Sequence, residues 1–252
     1  MTFAVAADAY DRYMGRFSGP LAPLFADVAG IDPGIAVLDV GCGPGALTSE
    51  LARRLGPANV TAVDPSESFV DAVRERVPGV RVETAHAEDL PFPAAAFDVS
   101  LAQLVVHFMS DPIAGLREMR RVTRDGGVVA ACVWDHGGGR GPLSLFWAAA
   151  RALDPGVVDE SELAGARRGH LAELFGVVGL ADVVESDLEV SVEYRSFDDW
   201  WEPFTLGVGL AGDHVARLDA RKRDDLERRC RELHPAPPFV ITAHAWTARG
   251  VV

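Results

Sequence analysis

The amino-acid sequence predicts a doubly wound α/β fold, and two patterns of apolar residues support this prediction. Between residues 35 and 134, short apolar runs alternate with segments that have helical spacing. Such alternation is typical of a parallel sheet with helices on both faces. Two later stretches, residues 182–194 and 239–248, have the character of an antiparallel pair at one edge of the same sheet. We therefore expect a Rossmann-like sheet that is mostly parallel, with an antiparallel last strand and helical cap insertions.

The first strand and the turn behind it form the clearest element. Residues 35–40 are apolar apart from one acid, and glycines follow at positions 41, 43 and 45. The next segment places Leu47, Leu51 and Leu55 at helical spacing. This order of strand, glycine turn and helix favours nucleotide binding, because glycine permits close approach of a ligand and a helix N-terminus offers free N–H groups.

The acid in the first strand, Asp39, discriminates between nucleotide ligands. A carboxylate at this position would repel the pyrophosphate of a nicotinamide dinucleotide and would attract an ammonium group. S-adenosylmethionine carries an ammonium and a sulfonium and has no phosphate. The sequence therefore favours S-adenosylmethionine over NAD as the ligand of this turn.

The second predicted strand lies within residues 59–66 and ends in Asp64, 23 residues beyond Gly41. An ionised carboxylate there can accept hydrogen bonds from two ribose hydroxyls. Alternatively, Asp64 caps the helix predicted at residues 67–77, although Ser66 could serve as that cap instead. We favour the ribose role, because the strand position and the spacing from the glycine turn agree.

Three further polar residues follow the third and fourth predicted strands. Glu88 and Asp89 lie in the loop after the strand at residues 80–84, where open α/β sheets place ligand contacts, and Asp89 could accept from an adenine amine. By themselves these acids would more simply cap a turn, but together with the two preceding motifs they favour ligand contacts. His107 lies just beyond the strand at residues 97–101, and it is either a structural residue or the base of a reaction.

The N-terminal residues predict two short helices, at residues 4–17 and 21–29, separated by a break at residues 18–20. The first helix has Ala6, Tyr10, Tyr13 and Phe17 on one face. Tyr10, Tyr13 and Arg16 either pack in the core or form a polar lid over a ligand, and both interpretations suit these residue types equally.

The other predicted elements complete the fold. They are a strand at 128–134 after a turn at 124–127, a loop at 135–141, an aromatic-rich stretch at 196–206, and helices at 112–123, 142–153, 162–175 and 213–233.

Composition restricts the function. A net charge of −13 argues against a nucleic-acid substrate. The three cysteines form no C-x-x-C pair, which suits a reducing cytoplasm and argues against a structural zinc site. No metal site is expected. No apolar run approaches the roughly 20 residues of a membrane span. A cytoplasmic protein, monomeric or homodimeric, with a small-molecule partner is the expectation.

Four motifs together resemble those of class I S-adenosylmethionine-dependent methyltransferases of the ubiquinone/menaquinone-biosynthesis-like, small-molecule type. They are V-L-D-V-G-C-G-P-G at 37–45, V-T-A-V-D-P-S at 60–66, A-E-D-L-P-F at 87–92 and R-R-V-T-R-D-G-G-V-V-A at 120–130. The stretch A-Y-D-R-Y-M-G-R-F at 9–17 is similar to the family's N-terminal helix. The resemblance implies Asp39 and Gly41 around the methionine moiety, Asp64 on ribose, Glu88 and Asp89 at adenine, and Gln103 beside the cofactor. The expected cofactor-binding residues are Tyr13, Arg16, Asp39, Gly41, Gly43, Asp64, Pro65, Ala87, Glu88, Asp89 and Gln103.

The resemblance predicts in-line methyl transfer to a small-molecule acceptor, with S-adenosylhomocysteine as product. Sulfonium chemistry needs a general base only for a protonated acceptor, and His107 is the one candidate. An acceptor pocket could be lined by Tyr10, Trp134, Trp147 and Trp200, or these aromatic residues form the core of the cap. Residues 1–34 would then be a helical lid, 35–134 the cofactor-binding core, and 135–252 the rest of the fold with a cap at about 142–175 and 195–235. The alternatives are a cofactor-binding protein without catalysis and, less favoured, an NAD-dependent oxidoreductase.

Overall fold

Seven strands form one sheet in the computed structural model, which describes residues 7–252. In chain order they are β1 (Val37–Val40), β2 (Val60–Asp64), β3 (Arg81–Thr84), β4 (Phe97–Gln103), β5 (Thr123–Trp134), β6 (Ala181–Tyr194) and β7 (Phe239–Val251). Their order across the sheet is β3-β2-β1-β4-β5-β7-β6. The first five strands pair in parallel, whereas β7 is antiparallel to both β5 and β6. The predicted fold class and the antiparallel edge pair are confirmed.

The strand order places a crevice in the middle of the sheet. The chain winds outward through β1, β2 and β3, and then returns to the other side of β1 with β4. Ligands of open α/β sheets bind at the carboxyl ends of the strands where this reversal occurs. The ends of β1 and β4 therefore define the place where a site is expected.

Helices cover both faces of the sheet. They are α1 (Ala7–Tyr10), α2 (Arg16–Ala29), α3 (Ala46–Leu55), α4 (Glu67–Arg76), α5 (Pro112–Val122), α6 (Ser144–Leu153), α7 (His170–Val177), α8 (Phe197–Trp201), α9 (Gly209–Arg217) and α10 (Ala220–Leu233). Side chains alternate along β5, so that Ala130 and Cys132 pack in one hydrophobic cluster with α2, α3 and α6. Val129 and Ala131 pack in a second cluster with α5 and α7. This two-sided burial explains the near-continuous apolar character of the strand.

The predicted break at residues 18–20 is wrong. A π-helical turn (Asp11–Gly15) connects α1 to α2, and α2 continues through Pro20 and Pro23. Its buried stripe consists of Phe17, Leu21, Ala22, Phe25, Ala26 and Ala29. A proline in a helix interior costs roughly 3 kcal/mol, and complete burial of a large apolar side chain contributes about 1.5–3 kcal/mol. Packing against the sheet therefore offsets the prolines. Residues 4–6 of the predicted first helix, including Ala6, lie outside the described residues.

Three other predicted boundaries are also wrong, each because of a local backbone feature. The helix predicted at 162–175 begins only at His170, because Gly165 and Gly169 adopt left-handed φ values of 80° and 82°. The helix predicted at 213–233 is divided into α9 and α10 at Asp219, whose side chain accepts from the backbone N–H of Lys222 and starts a new helix. The turn predicted at 124–127 belongs to β5, whose register against β4 shifts there.

The segment between β6 and β7 forms an aromatic cap. It contains α8, α9 and α10, and it packs on α6. The ring of Phe204 stacks on that of Phe146 in α6, with centroids 4.6 Å apart and an interplanar angle of 5°. Arg16 in α2 forms an ion pair with Asp199 in α8. The cap is therefore held to both the sheet-covering helix α6 and the N-terminal helix α2.

Candidate functional site

A cavity of about 300 Å³ lies at the carboxyl ends of β1, β2 and β4. The predicted site residues that border it are Tyr10, Asp39, Gly41, Gly43, Asp64, Pro65, Ala87, Glu88 and Gln103. The cavity thus lies where the strand order reverses between β1 and β4. Its walls come from the N-terminal helix, the glycine turn, the loop after β3 and the end of β4. The folded chain brings together residues that are up to 93 positions apart, from Tyr10 to Gln103.

The glycine turn is fixed to the neighbouring strand by its backbone. The N–H groups of Gly41 and Cys42 both donate to the carbonyl oxygen of Val63, at 2.8 and 2.9 Å. Gly41 has a φ of +70°, and a Cβ atom there would lie 2.5 Å from a methyl group of Val105. A side chain at position 41 would therefore be strained and would collide with the cavity wall.

Asp64, the last residue of β2, is 6% exposed and holds the same turn from the other side. One carboxylate oxygen accepts from the backbone N–H of Gly43 and the other from that of Ser66, both at 2.9 Å. Burial raises the pKa of this carboxyl group, whereas the two N–H donors lower it. A carboxylate has about four acceptor positions, so two remain for ligand hydroxyls at the cavity surface.

Asp39 in β1 is 1% exposed and has only one of its carboxyl oxygens satisfied. The Thr48 hydroxyl donates to Oδ2 at 2.6 Å, and Oδ1 has no hydrogen-bond partner. Burial raises the pKa of Asp39 to about 7, although the bond from Thr48 opposes the shift. A cationic group placed at Oδ1 would stabilise the ionised form.

Gln103 ends β4 and connects the cavity to the N-terminal helix. Its amide nitrogen donates to the backbone carbonyl of Ser18 at 3.1 Å, and its Oε1 is buried without a partner. The Ser18 hydroxyl is also buried and unpartnered, and Ser18 borders the cavity. The sequence pattern missed Ser18, because residues 18–20 were interpreted as a helix break.

The two predicted adenine acids occupy different places. Glu88 borders the cavity, and its Oε1 accepts from the backbone N–H groups of Ser110 at 2.7 Å and Asp111 at 3.2 Å. Asp89 is exposed and does not border the cavity. The loop after β3 therefore presents Ala87 and Glu88, but not Asp89, to this space.

Arg16, Trp147 and Trp200 lie away from the cavity. The Arg16 guanidinium pairs with Asp199 and lies over the ring of Tyr194, 5.0 Å from its centroid. Trp147 packs edge-on against Phe146, and Trp200 packs among cap aromatics and His234. The structure thus places these two tryptophans in the core of the cap, which was the alternative interpretation of the aromatic stretch.

A second cavity of about 30 Å³ adjoins the first, and the two share Tyr10, Leu104 and Phe108 as walls. It is bordered by the predicted residues Tyr10, Tyr13, His107 and Trp134, together with Met14, Leu104, Phe108, His136, Leu143, Glu160, Val208 and Gly209. Tyr13 therefore faces this smaller cavity and not the larger one.

Burial shifts the pKa of the titratable residues around the smaller cavity in the direction that favours their neutral forms. Burial lowers the pKa of His107 well below its usual range and that of His136 to about 4, and their rings lie 5.9 Å apart. Burial raises the pKa of Glu160 to about 7. The sequence missed His136 and Glu160, because both lie in irregular loops where no residue spacing indicates which way a side chain points.

No group of three or more His, Cys, Asp or Glu side chains in residues 7–252 could hold a metal ion. None of the helices in that range is both long enough and apolar enough to cross a membrane.

Residues 38–131 match the protein family described as "Methyltransferase domain". This region is therefore similar to known methyltransferase domains. The matched region begins in β1 and ends in β5, and so it contains the glycine turn, Asp39, Asp64 and Gln103.

Several curated proteins are similar in sequence to part of this chain. A malonyl-[acyl-carrier protein] O-methyltransferase from Serratia marcescens is 35% identical over 127 residues, which are 50% of this chain and 49% of that protein. The ubiquinone/menaquinone biosynthesis C-methyltransferase UbiE of Burkholderia orbicola is 38% identical over 116 residues, or 42% and 48% of the two chains. The first curated relatives are matched over 28% to 49% of their lengths.

Similarity of fold extends beyond residues 38–131. The crystal structure of YcgJ from Bacillus subtilis has a TM-score of 0.59 and 20% sequence identity, and the match covers 91% of this chain and 97% of that one. At this identity the comparison establishes the fold alone. The C-terminal strands and helices thus belong to an arrangement that is also found in a solved structure.

Proposed function

We propose that the protein is an S-adenosylmethionine-dependent methyltransferase that acts on a small-molecule acceptor. The observation that carries this proposal is the buried Asp39 carboxyl group, which has an unpartnered oxygen and borders the same cavity as Asp64. Together they offer an anionic position for an ammonium group and acceptor atoms for ribose hydroxyls. A dinucleotide would instead bring its pyrophosphate towards Asp39 at the glycine turn.

The residues present fit S-adenosylmethionine in their chemistry. Asp64, held by the N–H groups of Gly43 and Ser66, would bind the ribose, and Asp39 would bind the ammonium of the methionine moiety. Gln103 offers an unpartnered amide oxygen beside them. Ala87 and Glu88 are the loop residues available to adenine.

The cofactor, when bound, supplies a methyl group already activated by the sulfonium. The chain therefore has to orient an acceptor, exclude water and accept a proton if the acceptor carries one. Tyr10, Leu104 and Phe108 separate the larger cavity from the smaller one, and they form an apolar boundary at which acceptor and donor could meet. We place the acceptor on the side of the smaller cavity.

A small molecule is the acceptor class that the chain's charge favours. The net charge of −13 would repel a nucleic-acid backbone. The relatives act on unlike acceptors, since one is named as an O-methyltransferase and the other as a C-methyltransferase. We propose a cytoplasmic enzyme, monomeric or homodimeric, in which residues 142–175 and 195–235 form the acceptor-side cap.

Calorimetric titration with S-adenosylhomocysteine, with NAD as the control ligand, tests the cofactor assignment. We expect S-adenosylhomocysteine to bind and NAD not to bind. NAD binding alone would refute the proposal. Methyl transfer from S-adenosylmethionine to a panel of small acceptors then separates the enzyme from a cofactor-binding protein without catalysis.

The affinity for S-adenosylhomocysteine is expected to depend on pH through Asp39. The pKa of this carboxyl group is about 7 in the free protein, and a bound ammonium would lower it, so binding below pH 7 releases a proton. Affinity should therefore rise by up to about tenfold between pH 6 and pH 7.5, and fall at more alkaline pH as the ligand's amino group loses its proton. Titrations in buffers of different ionisation enthalpy measure the released proton. In Asp39→Asn, the rise between pH 6 and pH 7.5 should disappear; if it persists, another group is responsible.

A further inference from the structure

Four residues that border the smaller cavity each carry a buried polar atom without a hydrogen-bond partner. The atoms are the Tyr13 hydroxyl, Nδ1 of His107, Nε1 of Trp134 and Oε2 of Glu160. An unsatisfied buried donor or acceptor costs about 1–3 kcal/mol, and native proteins contain few of them. Their concentration around one space indicates a polar group of a ligand.

The mixture of donors and acceptors restricts what that group can be. The Trp134 indole nitrogen can only donate, and an ionised Glu160 can only accept. A ligand group that satisfies both must therefore accept one hydrogen bond and donate another. A hydroxyl does this, whereas an ammonium has no acceptor and would leave the Trp134 N–H unpaired.

The size and walls of the cavity restrict the rest of the ligand. A space of about 30 Å³ holds roughly two water-sized atoms, so only the end of an acceptor enters it. The shared walls towards the larger cavity are Tyr10, Leu104 and Phe108, which suit a flat apolar body. The ring would then lie against these shared walls with its hydroxyl oxygen at the mouth of the smaller cavity, where the oxygen faces both the methyl donor and the polar residues of that cavity.

We propose that the smaller cavity binds the hydroxyl of a phenol-type acceptor and that Glu160 is the base that removes its proton. This inference rests on the methyltransferase function proposed above. In the step, a lone pair of the phenol oxygen forms the new O–C bond, the S–C bond breaks and its electron pair stays on sulfur. The O–H proton passes to the Glu160 carboxylate, so charge and atoms balance.

Glu160 suits this role better than His107. Burial lowers the pKa of His107 well below its usual range, which makes its ring a weak base, whereas burial raises the pKa of Glu160 to about 7. The groups that face Glu160 are the Tyr13 phenol, Asp159, which is paired with Arg151, and the Trp147 indole, whose N–H opposes the rise in the Glu160 pKa without making a full hydrogen bond. His107 and His136 border the same cavity, and burial keeps both rings neutral. Turnover should therefore rise with pH through about pH 7 as Glu160 loses its proton.

The test compares phenols with an amine at saturating S-adenosylmethionine. Phenol, catechol and hydroquinone are assayed beside benzylamine, which is an ammonium at neutral pH, by mass spectrometry of the methylated products. We expect methylation of the phenols and not of the amine. Glu160→Gln should lower kcat about a hundredfold and remove the rise in rate near pH 7, while S-adenosylhomocysteine affinity is unchanged. Glu162→Gln, an exposed acid two residues away, should behave like the unaltered protein.

Each other result counts against the inference in a defined way. Methylation of the amine alone, or no methylated phenol from a protein that binds S-adenosylhomocysteine, overturns the hydroxyl assignment and leaves the cofactor assignment intact. An unchanged kcat and pH profile in Glu160→Gln refutes the base. If Glu160→Gln fails to fold, His107→Gln decides the question, because loss of the pH-dependent rise in that variant would make His107 the base and its persistence would leave Glu160. Failure to bind S-adenosylhomocysteine would refute the proposed function itself.

Discussion

Asp64→Ala is expected to weaken S-adenosylhomocysteine binding by about 10- to 150-fold, because hydrogen bonds to a charged group contribute roughly 1.5–3 kcal/mol. Two effects combine in this variant. The ribose hydroxyls lose their acceptor, and the N–H of Gly43, which donates to Asp64 at 2.9 Å, loses the bond that holds the glycine turn. Calorimetric titration at pH 7.5 measures the loss.

Two control variants separate ligand binding from general damage at this position. Asp64→Asn keeps one acceptor oxygen and removes the charge, so its affinity should lie between those of the unaltered protein and Asp64→Ala. Asp71→Ala removes an exposed acid whose ion pair with Arg74 lies on the surface of α4, and it should bind normally. An Asp64→Ala protein that is folded by circular dichroism and binds with unchanged affinity would disprove the ribose assignment.

Phe25→Ala is expected to lower the free energy of unfolding by about 3–5 kcal/mol, the usual cost of removing a fully buried aromatic side chain. Phe25 is 0% exposed and lies in the same hydrophobic cluster as Val99 of β4 and Ala130 of β5. Denaturation by urea, followed by tryptophan fluorescence, measures the change. The adjacent variant Leu24→Ala should cost clearly less, about 1 kcal/mol, because that side chain is 37% exposed and so loses less buried area.

The same comparison tests how the N-terminal segment functions. If α2 were a lid that detaches from the sheet, Phe25→Ala would destabilise the protein by no more than Leu24→Ala. A large difference between the two variants would make α2 part of the folded core. Any lid movement would then be confined to the residues before it, which include Tyr10 and Tyr13.

The sequence predicted the sheet well, because local patterns and tertiary burial agree there. The apolar strand before the glycines, the left-handed φ of Gly41 and the position of Asp64 at the end of β2 all follow from rules that act over a few residues. The antiparallel pairing of β6 with β7 was likewise predictable from their late position and from the alternation along β6.

The residues that sequence patterns missed owe their positions to long-range contacts. Helix α2 continues through two prolines because its apolar stripe is buried against the sheet. The free energy of this burial depends on residues far away in the chain, so a rule that considers only neighbouring residues does not include it. Glu160 and His136 face a cavity only because two irregular loops fold towards Tyr13 and His107. The position of the Arg16 side chain depends on its ion pair with Asp199, which lies 183 residues away in the chain.

Strand β6 lies at one edge of the sheet, and its side chains affect whether two copies of this protein can pair there. Among the described residues it pairs with β7 only, and so its other side leaves backbone donors and acceptors open to a further strand. The strand carries Asp182, Glu185, Asp187, Glu189 and Glu193. A second β6 laid alongside would bring like charges face to face, which destabilises strand pairing. This edge of the sheet is thus protected by its own charge against self-association, and a homodimer would have to form elsewhere.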